Sequence, residues 1–526
     1  MKQVRNHGCA KIANMAKNLS KVYSAELDGI KAKLIEVETD INVGLHSFNI
    51  VGLADKALSE SRERISSALK NSGIKPPTKE NRKITVNLAP ADVKKTGSQY
   101  DLAITVGYLL ATKQIEEFDT RGKIFAGELS LDGELRPISG ALNIASLAKN
   151  KNFSEIFIPH ANAAEAALIN KVKVIPIKNI QEIIAHLENK KVIEPQTHTR
   201  IMPKTEEVSY DINHIKGQMN AKRALAIAAA GGHNILMSGP PGSGKTMLAQ
   251  ALMSILPPLE MDELIEINQI YSAAGMLKED SLMFRRPFRS PHHSASLAAM
   301  VGGGTNPRPG EISLAHRGVL FLDELPEFHR DVLEALRQPL ESGAIHISRA
   351  KHNLELPAKF TLAAAMNPCP CGYLGDAEKE CRCTANETLR YGKKISGPLL
   401  DRIDMQVEVP RIKIETLRGA SETKEGDTLR EKIKLARQIQ KERFKKLKNK
   451  IYTNSDMTSK QCDELIHLAP EADSFMKMVL DKSFISARGY YRMLKTARTI
   501  ADLENSESVT SEHLSEAFNY KLKDKN

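Results

Sequence analysis

The spacing of apolar positions changes several times along the chain, and each change predicts a different element. Residues 32–38 alternate apolar and polar side chains at period two, as a strand with one buried face does. Residues 56–70 repeat apolar positions at helical spacing, 84–88 read as another strand, and 102–110 as an apolar helix. Together they predict an α/β domain with its own core over residues 19–190, preceded by an N-terminal extension at 1–18. Residues 191–209 turn polar, carry Pro195 and Pro203 and lose their periodicity, so they read as a linker. Short, largely apolar runs at 234–237, 318–322 and 360–366 then predict buried parallel strands in a second α/β domain, residues 210–411. Residues 412–526 read as helical, with Leu429, Ile433, Ala436 and Ile439 forming an apolar stripe on a helix otherwise covered in Lys and Arg.

Length and composition agree with this division. A chain of 526 residues is too long for one domain, and 41% hydrophobic with 26% charged residues is ordinary for a soluble globular protein. No apolar run is long enough to span a bilayer, and the first twenty residues carry no secretory signal, so a cytoplasmic location without membrane contact is expected. In that compartment six cysteines suggest metal or free thiols before disulfides. The net charge of +11 is compatible with a polyanionic partner without requiring one.

The densest chemistry follows the run at 234–237. Gly239, Pro240, Pro241, Gly242, Ser243, Gly244, Lys245 and Thr246 fit G-x-x-x-x-G-K-[ST], the loop that wraps a nucleotide's phosphates. The glycines let successive backbone N–H groups point at an anion, Lys245 reaches the β- and γ-phosphates, and the Thr246 hydroxyl can ligate Mg²⁺. Residues 247–252 read as the helix whose N-terminus faces the phosphates. The run at 318–322 ends in two carboxylates: Asp323 to hold Mg²⁺ and Glu324 to orient and deprotonate the attacking water. The third strand ends in Asn367, either an amide that positions the lytic water or a turn residue before Pro368. These residues predict binding of ATP or GTP.

In this order the motifs resemble an AAA+ ATPase. The box Gly397-Pro-Leu-Leu-Asp-Arg-Ile-Asp404 is similar to the one that carries the arginine finger in the magnesium-chelatase and minichromosome-maintenance branch, and Ser486-Ala-Arg-Gly-Tyr-Tyr-Arg-Met-Leu494 is similar to that branch's second sensor. On the residues alone, Arg402 and Arg488 would read as solvated helix positions. The resemblance implies that Arg402 stabilises transition-state charge on a neighbouring subunit's γ-phosphate and that Arg488, on the lid, reaches the nucleotide. Four further stretches, Val51-Gly-Leu-Ala-Asp-Lys-Ala57, Asn87-Leu-Ala-Pro-Ala-Asp92, Arg289-Ser-Pro-His-His293 and Ala497-Arg-Thr-Ile-Ala-Asp502, extend the likeness to nearly the whole chain. The chain is identified as similar to the magnesium-chelatase-like AAA+ family of bacteria, of the YifB/ComM type. The resemblance implies a ribosomal-S5/Lon-protease-like N-terminal domain, a P-loop α/β core with a parallel sheet, and a C-terminal α-helical lid. It further implies an ATP- and Mg²⁺-dependent homo-hexameric ring that acts on single-stranded or branched DNA, with branch migration or helicase activity in transformation or recombination as its role.

A Lon-type protease needs a Ser nucleophile and a Lys base. Against the Lon motif, Gln99 stands at the nucleophile's position and Leu142 at the lysine's, with Ser98 one residue from the first. An amide and a leucine supply neither function, so a binding or assembly module is expected, with a Ser98 nucleophile as the alternative.

Two features remain. Cys369, Cys371, Cys381 and Cys383 form a C-x-C…C-x-C pair suited to a tetrahedral structural Zn²⁺; free thiols or an oxidation-formed disulfide are the alternatives. Two inserts are candidate DNA contacts. One holds Arg285, Arg286, Arg289, His292 and His293; the other, residues 344–356, alternates about an Arg349/Lys351 tip as a β-hairpin would. Residues 411–450 carry fourteen Lys/Arg against six Asp/Glu, either a solvated face or a further DNA surface. A chelatase-type motor subunit and an ATP-driven remodeller without DNA activity are the competing functional readings.

Overall fold

A computed structural model describes residues 19–53, 55–79, 81–199, 210–277, 282–304, 308–349, 352–412, 425–447, 451–482 and 486–521. The chain divides into two compact units, Met1–Met202 with Asn268–Leu282, and Pro203–Ile267 with Met283–Asn526. The expected N-terminal extension lies outside the described residues.

The first unit is built on the period-two strand Lys31–Val43, which buries Ile35, Val37, Thr39 and Ile41 on one face. It pairs antiparallel with Leu19–Asp28 and with Arg82–Ala89, so that Val37 stands between Val22 and Leu88. Parallel strands extend the sheet at both sides: Ser47–Val51 beside Arg82–Ala89, and Lys123–Phe125, Glu155–Pro159 and Lys173–Ile177 beyond Leu19–Asp28. Helix Lys56–Asn71 starts where Asp55 accepts the Leu58 N–H at 2.8 Å, and buries Leu58, Ile65 and Leu69 on one stripe. Helix Asp101–Ala111 is buried nearly all round, as its largely apolar sequence requires, with Asp101 buried at its start and paired with Arg64. Both helices share one core with the sheet. Residues 268–282 belong to this unit: the Ser272 carbonyl accepts from Gly140 N at 2.9 Å, and the Gln269 carbonyl from buried Asn143 Nδ2 at 3.2 Å.

The second unit carries a five-stranded, all-parallel sheet in the order Phe288–Arg289, Val319–Leu322, Thr361–Met366, Ile235–Ser238, Met405–Glu408. Val319 to Leu322 are all at most 1% exposed, which is why these strands read as continuous apolar runs. The hairpin Ala344–Arg349/His352–Pro357 is present, paired from Ala344↔Pro357 to Arg349↔His352.

The C-terminal part is helical, with Glu425–Phe444, Pro470–Lys482, Ala487–Leu503 and Ser511–Asn519 as its longest described helices. Its apolar stripe differs from the expected one. Ile433 and Ala436 are buried, but Gln440 and Phe444 continue the buried face in place of Ile439. Gln440 Nε2 donates to the Ala230 carbonyl at 3.0 Å, so the helix interior accepts a polar side chain because its donor is satisfied. Several basic residues of this segment are structural as well. Arg443 pairs with buried Asp502, Arg430 with Asp211, and Arg437 donates to the Ala229 carbonyl at 2.9 Å. Among the described residues no helix is long and apolar enough to cross a membrane.

Candidate nucleotide-binding site

Strand Ile235–Ser238 runs into a loop closed by helix Lys245–Ile255. Two constraints select glycine in the loop: a Cβ on Gly239 would lie 2.1 Å from the Val409 carbonyl oxygen, while Gly242 and Gly244 have open space but take left-handed φ of +78° and +92°. Lys245 is 8% exposed, and its Nζ donates to the carbonyls of Gly239 at 2.6 Å and Pro240 at 2.9 Å and to Asn367 Oδ1 at 3.3 Å. Burial pulls its pKa below the ordinary lysine value, with Asp323 opposing. A cation held this way, with its donors on neutral oxygens, can transfer them to an incoming polyanion.

The strand order explains why distant residues meet here. Val319–Leu322 and Thr361–Met366 lie side by side with Ile235–Ser238, so Asp323, Asn367 and the loop emerge from the same carboxyl edge of the sheet. Thr246 Oγ1 donates to Asp323 Oδ2 at 2.8 Å, which places a hydroxyl and a carboxylate together as a hard divalent cation requires. Glu324 adopts a left-handed φ of 51° and its carboxylate stays largely exposed, with Oε2 3.4 Å from His293 Nδ1. The His293 ring packs on His292 at 4.1 Å between centroids and edge-on to Phe328.

Arg402 and Arg488 are brought together, but elsewhere. Both pair with Glu341, Arg488 at 2.7 Å, and Arg402 also donates to the Pro398 carbonyl at 2.6 Å. The two arginines hold the Glu341 carboxyl below its ordinary range, Arg402 most strongly. They line a cavity of about 640 Å³ to which none of residues 239–246 contributes.

Behind the phosphate loop sits the cysteine cluster. The Sγ atoms of Cys369, Cys371 and Cys381 are 3.4–3.7 Å apart, Cys371 N donates to Cys383 Sγ at 3.3 Å, and all four thiols lie within 4.8 Å of one another. Backbone N–H groups of Tyr373 and Arg382 bring the Cys371 thiol down to about 6. Thr384, next to Cys383, caps helix Ala385–Gly392 in a reciprocal box with Glu387, which fixes the second cysteine pair.

Of the candidate DNA contacts, Arg286 is tied to Glu263 at 2.8 Å and Arg289 to Glu311 at 2.6 Å, so both are engaged within the fold. Lys351 and the Arg349 side chain lie outside the described residues. In the first unit Ser98 donates to Glu128, Gln99 Nε2 to Glu26 at 3.0 Å, and Leu142 is fully buried in the core. The Ser98 hydroxyl thus meets a carboxylate where a lysine base would be needed.

Sequence reasoning did not assign the partners His293 and Glu341, or the buried Glu26. The sequence marks His293 only as a DNA-contact candidate, whereas it faces Glu324, and nothing in the local sequence marks the other two.

Residues 211–417 match the family described as magnesium chelatase, subunit ChlI; residues 37–162 match subunit ChlI of Mg-chelatase; and 423–521 match the ChlI C-terminal family. The chain is 41% identical over 515 residues to the competence protein ComM of Haemophilus influenzae, covering 96% of this chain and 97% of that one. It is 42% identical over 511 residues to YifB of Salmonella typhimurium, covering 97% and 98%. A partial likeness, 25% over 222 residues, links 36% of the chain to 39% of Lon protease 2 of Bacillus subtilis.

Proposed function

The chain belongs to the magnesium-chelatase-like AAA+ ATPases of the YifB/ComM type, and from that premise we propose that it is a cytoplasmic, ring-forming motor that hydrolyses ATP to remodel single-stranded or branched DNA. The observation that carries the catalytic part is the meeting of Lys245, Thr246, Asp323 and Asn367 at one edge of the parallel sheet. Lys245 exchanges its carbonyl partners for the β- and γ-phosphates. Bound Mg²⁺ would supply positive charge to the phosphate oxygens, held by Thr246 and Asp323. Glu324 takes the proton of the attacking water, and Asn367 orients that water or the γ-phosphate.

Arg402 completes the site from a neighbouring subunit. Its place on a cavity to which its own phosphate loop does not contribute supports this, and the guanidinium would leave Glu341 to reach another chain's nucleotide. Arg488 shares Glu341 with it and acts on the same side. A homo-hexamer is the assembly that the family resemblance implies. The four cysteines hold a structural Zn²⁺. Likeness to a competence protein supports DNA as the partner, and the hairpin tip with Arg349 and Lys351 is the element we assign to it. Phosphate contacts from that tip would be independent of sequence and weakened by salt.

The test is ATPase rate and assembly state with no DNA, single strands, duplex and a four-way junction, at low and high salt. Stimulation that fades as salt rises is the expected result. If DNA of every form leaves both rate and assembly unchanged, the chelatase-type or DNA-independent remodeller reading replaces this one.

A further inference from the structure

The cysteine cluster and the phosphate loop are in direct contact. Gly372, within the turn that Cys369 and Cys371 begin, is buried with a left-handed φ of +86°. A Cβ there would lie 2.6 Å from Pro241 Cδ, at the crest of the phosphate loop, and 3.8 Å from the Asn367 side chain. The turn is closed by Gly372 N donating to the Cys369 carbonyl at 3.0 Å. Asn367 is itself only two residues before Cys369, and its Oδ1 accepts from Lys245 Nζ at 3.3 Å. The cluster therefore touches the nucleotide loop from behind and also anchors the end of the strand that carries Asn367.

The thiol spacing fits a single metal ion. A tetrahedron with Zn–S bonds of about 2.3 Å has S···S edges of about 3.8 Å, against observed spacings of 3.4, 3.6 and 3.7 Å. A disulfide would need about 2.05 Å. Without a cation, the described direct links between the two C-x-C arms are the thiol–thiol contacts and the hydrogen bond from Cys371 N to Cys383 Sγ, and a metal ion would add four strong bonds across them.

We propose that a Zn²⁺ held by Cys369, Cys371, Cys381 and Cys383 is a brace for the phosphate loop, so that metal and nucleotide bind cooperatively. The inference rests on reading residues 239–246 as the nucleotide site and the four cysteines as a metal site. With zinc in place, the turn at Gly372 presses on Pro241 and keeps the loop's N–H groups converged. Without it, Pro241 and Asn367 lose their backing, and ATP must bear the cost of ordering them. Coupling of this kind is reciprocal and typically amounts to about 5–150-fold in affinity.

The experiment uses the full chain purified without chelators. Zinc content is measured by elemental analysis, and affinity for a fluorescent ATP analogue is measured on loaded, stripped and re-loaded protein, with circular dichroism recorded on each. Stripping should weaken nucleotide binding at least about 5-fold and re-loading should restore it. ATP should slow transfer of zinc to a chromophoric chelator. Gly372→Ala, which keeps all four ligands, should retain one zinc and still bind the analogue more weakly. No metal in protein made without chelators overturns the metal site and the brace with it. Zinc present, but equal nucleotide affinity in loaded, stripped and Gly372→Ala protein, overturns the brace and leaves the metal site standing. Failure of the loaded wild type to bind nucleotide at all overturns the reading of the phosphate loop instead.

Discussion

Thr246 Oγ1 donates a 2.8 Å hydrogen bond to Asp323 Oδ2, joining the first turn of the phosphate-loop helix to the tip of the acidic strand, 77 residues later. The contact orders both groups before any nucleotide arrives. Its neighbours Lys245 and Glu324 then separate into different tasks. Lys245 is buried among oxygens, and Glu324 reaches into solvent.

That separation predicts two distinguishable defects. Lys245→Ala should cost about 2–5 kcal/mol of nucleotide affinity, the scale of removing one partner of a buried charge pair. Glu324→Gln should bind ATP normally and stop turnover. Isothermal titration and phosphate release measure the two effects; wild-type turnover in Glu324→Gln would refute its assignment as the lytic base.

The pairing of Glu324 with His293 at 3.4 Å predicts a positioning role for the histidine. His293→Ala should lower kcat by about 10–100-fold, the scale of misplacing a reacting group by an ångström or less. ATP affinity should stay unchanged. His293→Asn, which can still donate to the carboxylate, should recover part of the loss. A change in affinity with kcat intact would remove His293 from this role.

The shared partner of Arg402 and Arg488 leads to a prediction in trans. Arg402→Ala should bind ATP and hydrolyse it about 10³–10⁵-fold more slowly, as loss of an arginine finger does. Mixing Arg402→Ala with Lys245→Ala subunits should restore some activity, because some interfaces then combine an intact finger with an intact phosphate loop. Absence of recovery, under conditions where subunits demonstrably exchange, would end the trans assignment.

In the first unit, burial raises the Glu26 carboxyl from 4.5 to about 7, against the opposing hydrogen bonds from Tyr100 and Thr96. The folded-state value lies above the unfolded one, so the stability that the protonated carboxyl contributes is complete below about pH 4.5. It is lost as pH rises through 7, by about 3 kcal/mol in all. Glu26→Gln should remove this term, so the variant gains on the wild type as pH goes from 5 to 8. Urea unfolding of both proteins at the two pH values checks the sign; a constant difference would show that Glu26 is ionised throughout.

Much of this protein is determined locally. Period-two alternation marks Lys31–Val43, continuous apolar runs mark the buried parallel strands, and the glycine spacing of the phosphate loop follows from the geometry of wrapping an anion. The four cysteines, fifteen residues from first to last, likewise come together within one local turn. Partnerships across the fold are different, because period and spacing carry no information about which distant side chain will face a given group. Only the strand order places Asp323 and Asn367 beside Lys245, and only tertiary packing gives Arg402 and Arg488 a common carboxylate in Glu341. The same holds for Gln440, which replaces Ile439 on the buried face because the Ala230 carbonyl is there to accept its N–H. Arg286 and Arg289 look like free cations in a basic loop until Glu263 and Glu311 arrive from other elements. Local periodicity reports which face a residue occupies, whereas charge pairing and hydrogen-bond satisfaction depend on what the folded chain brings to meet it.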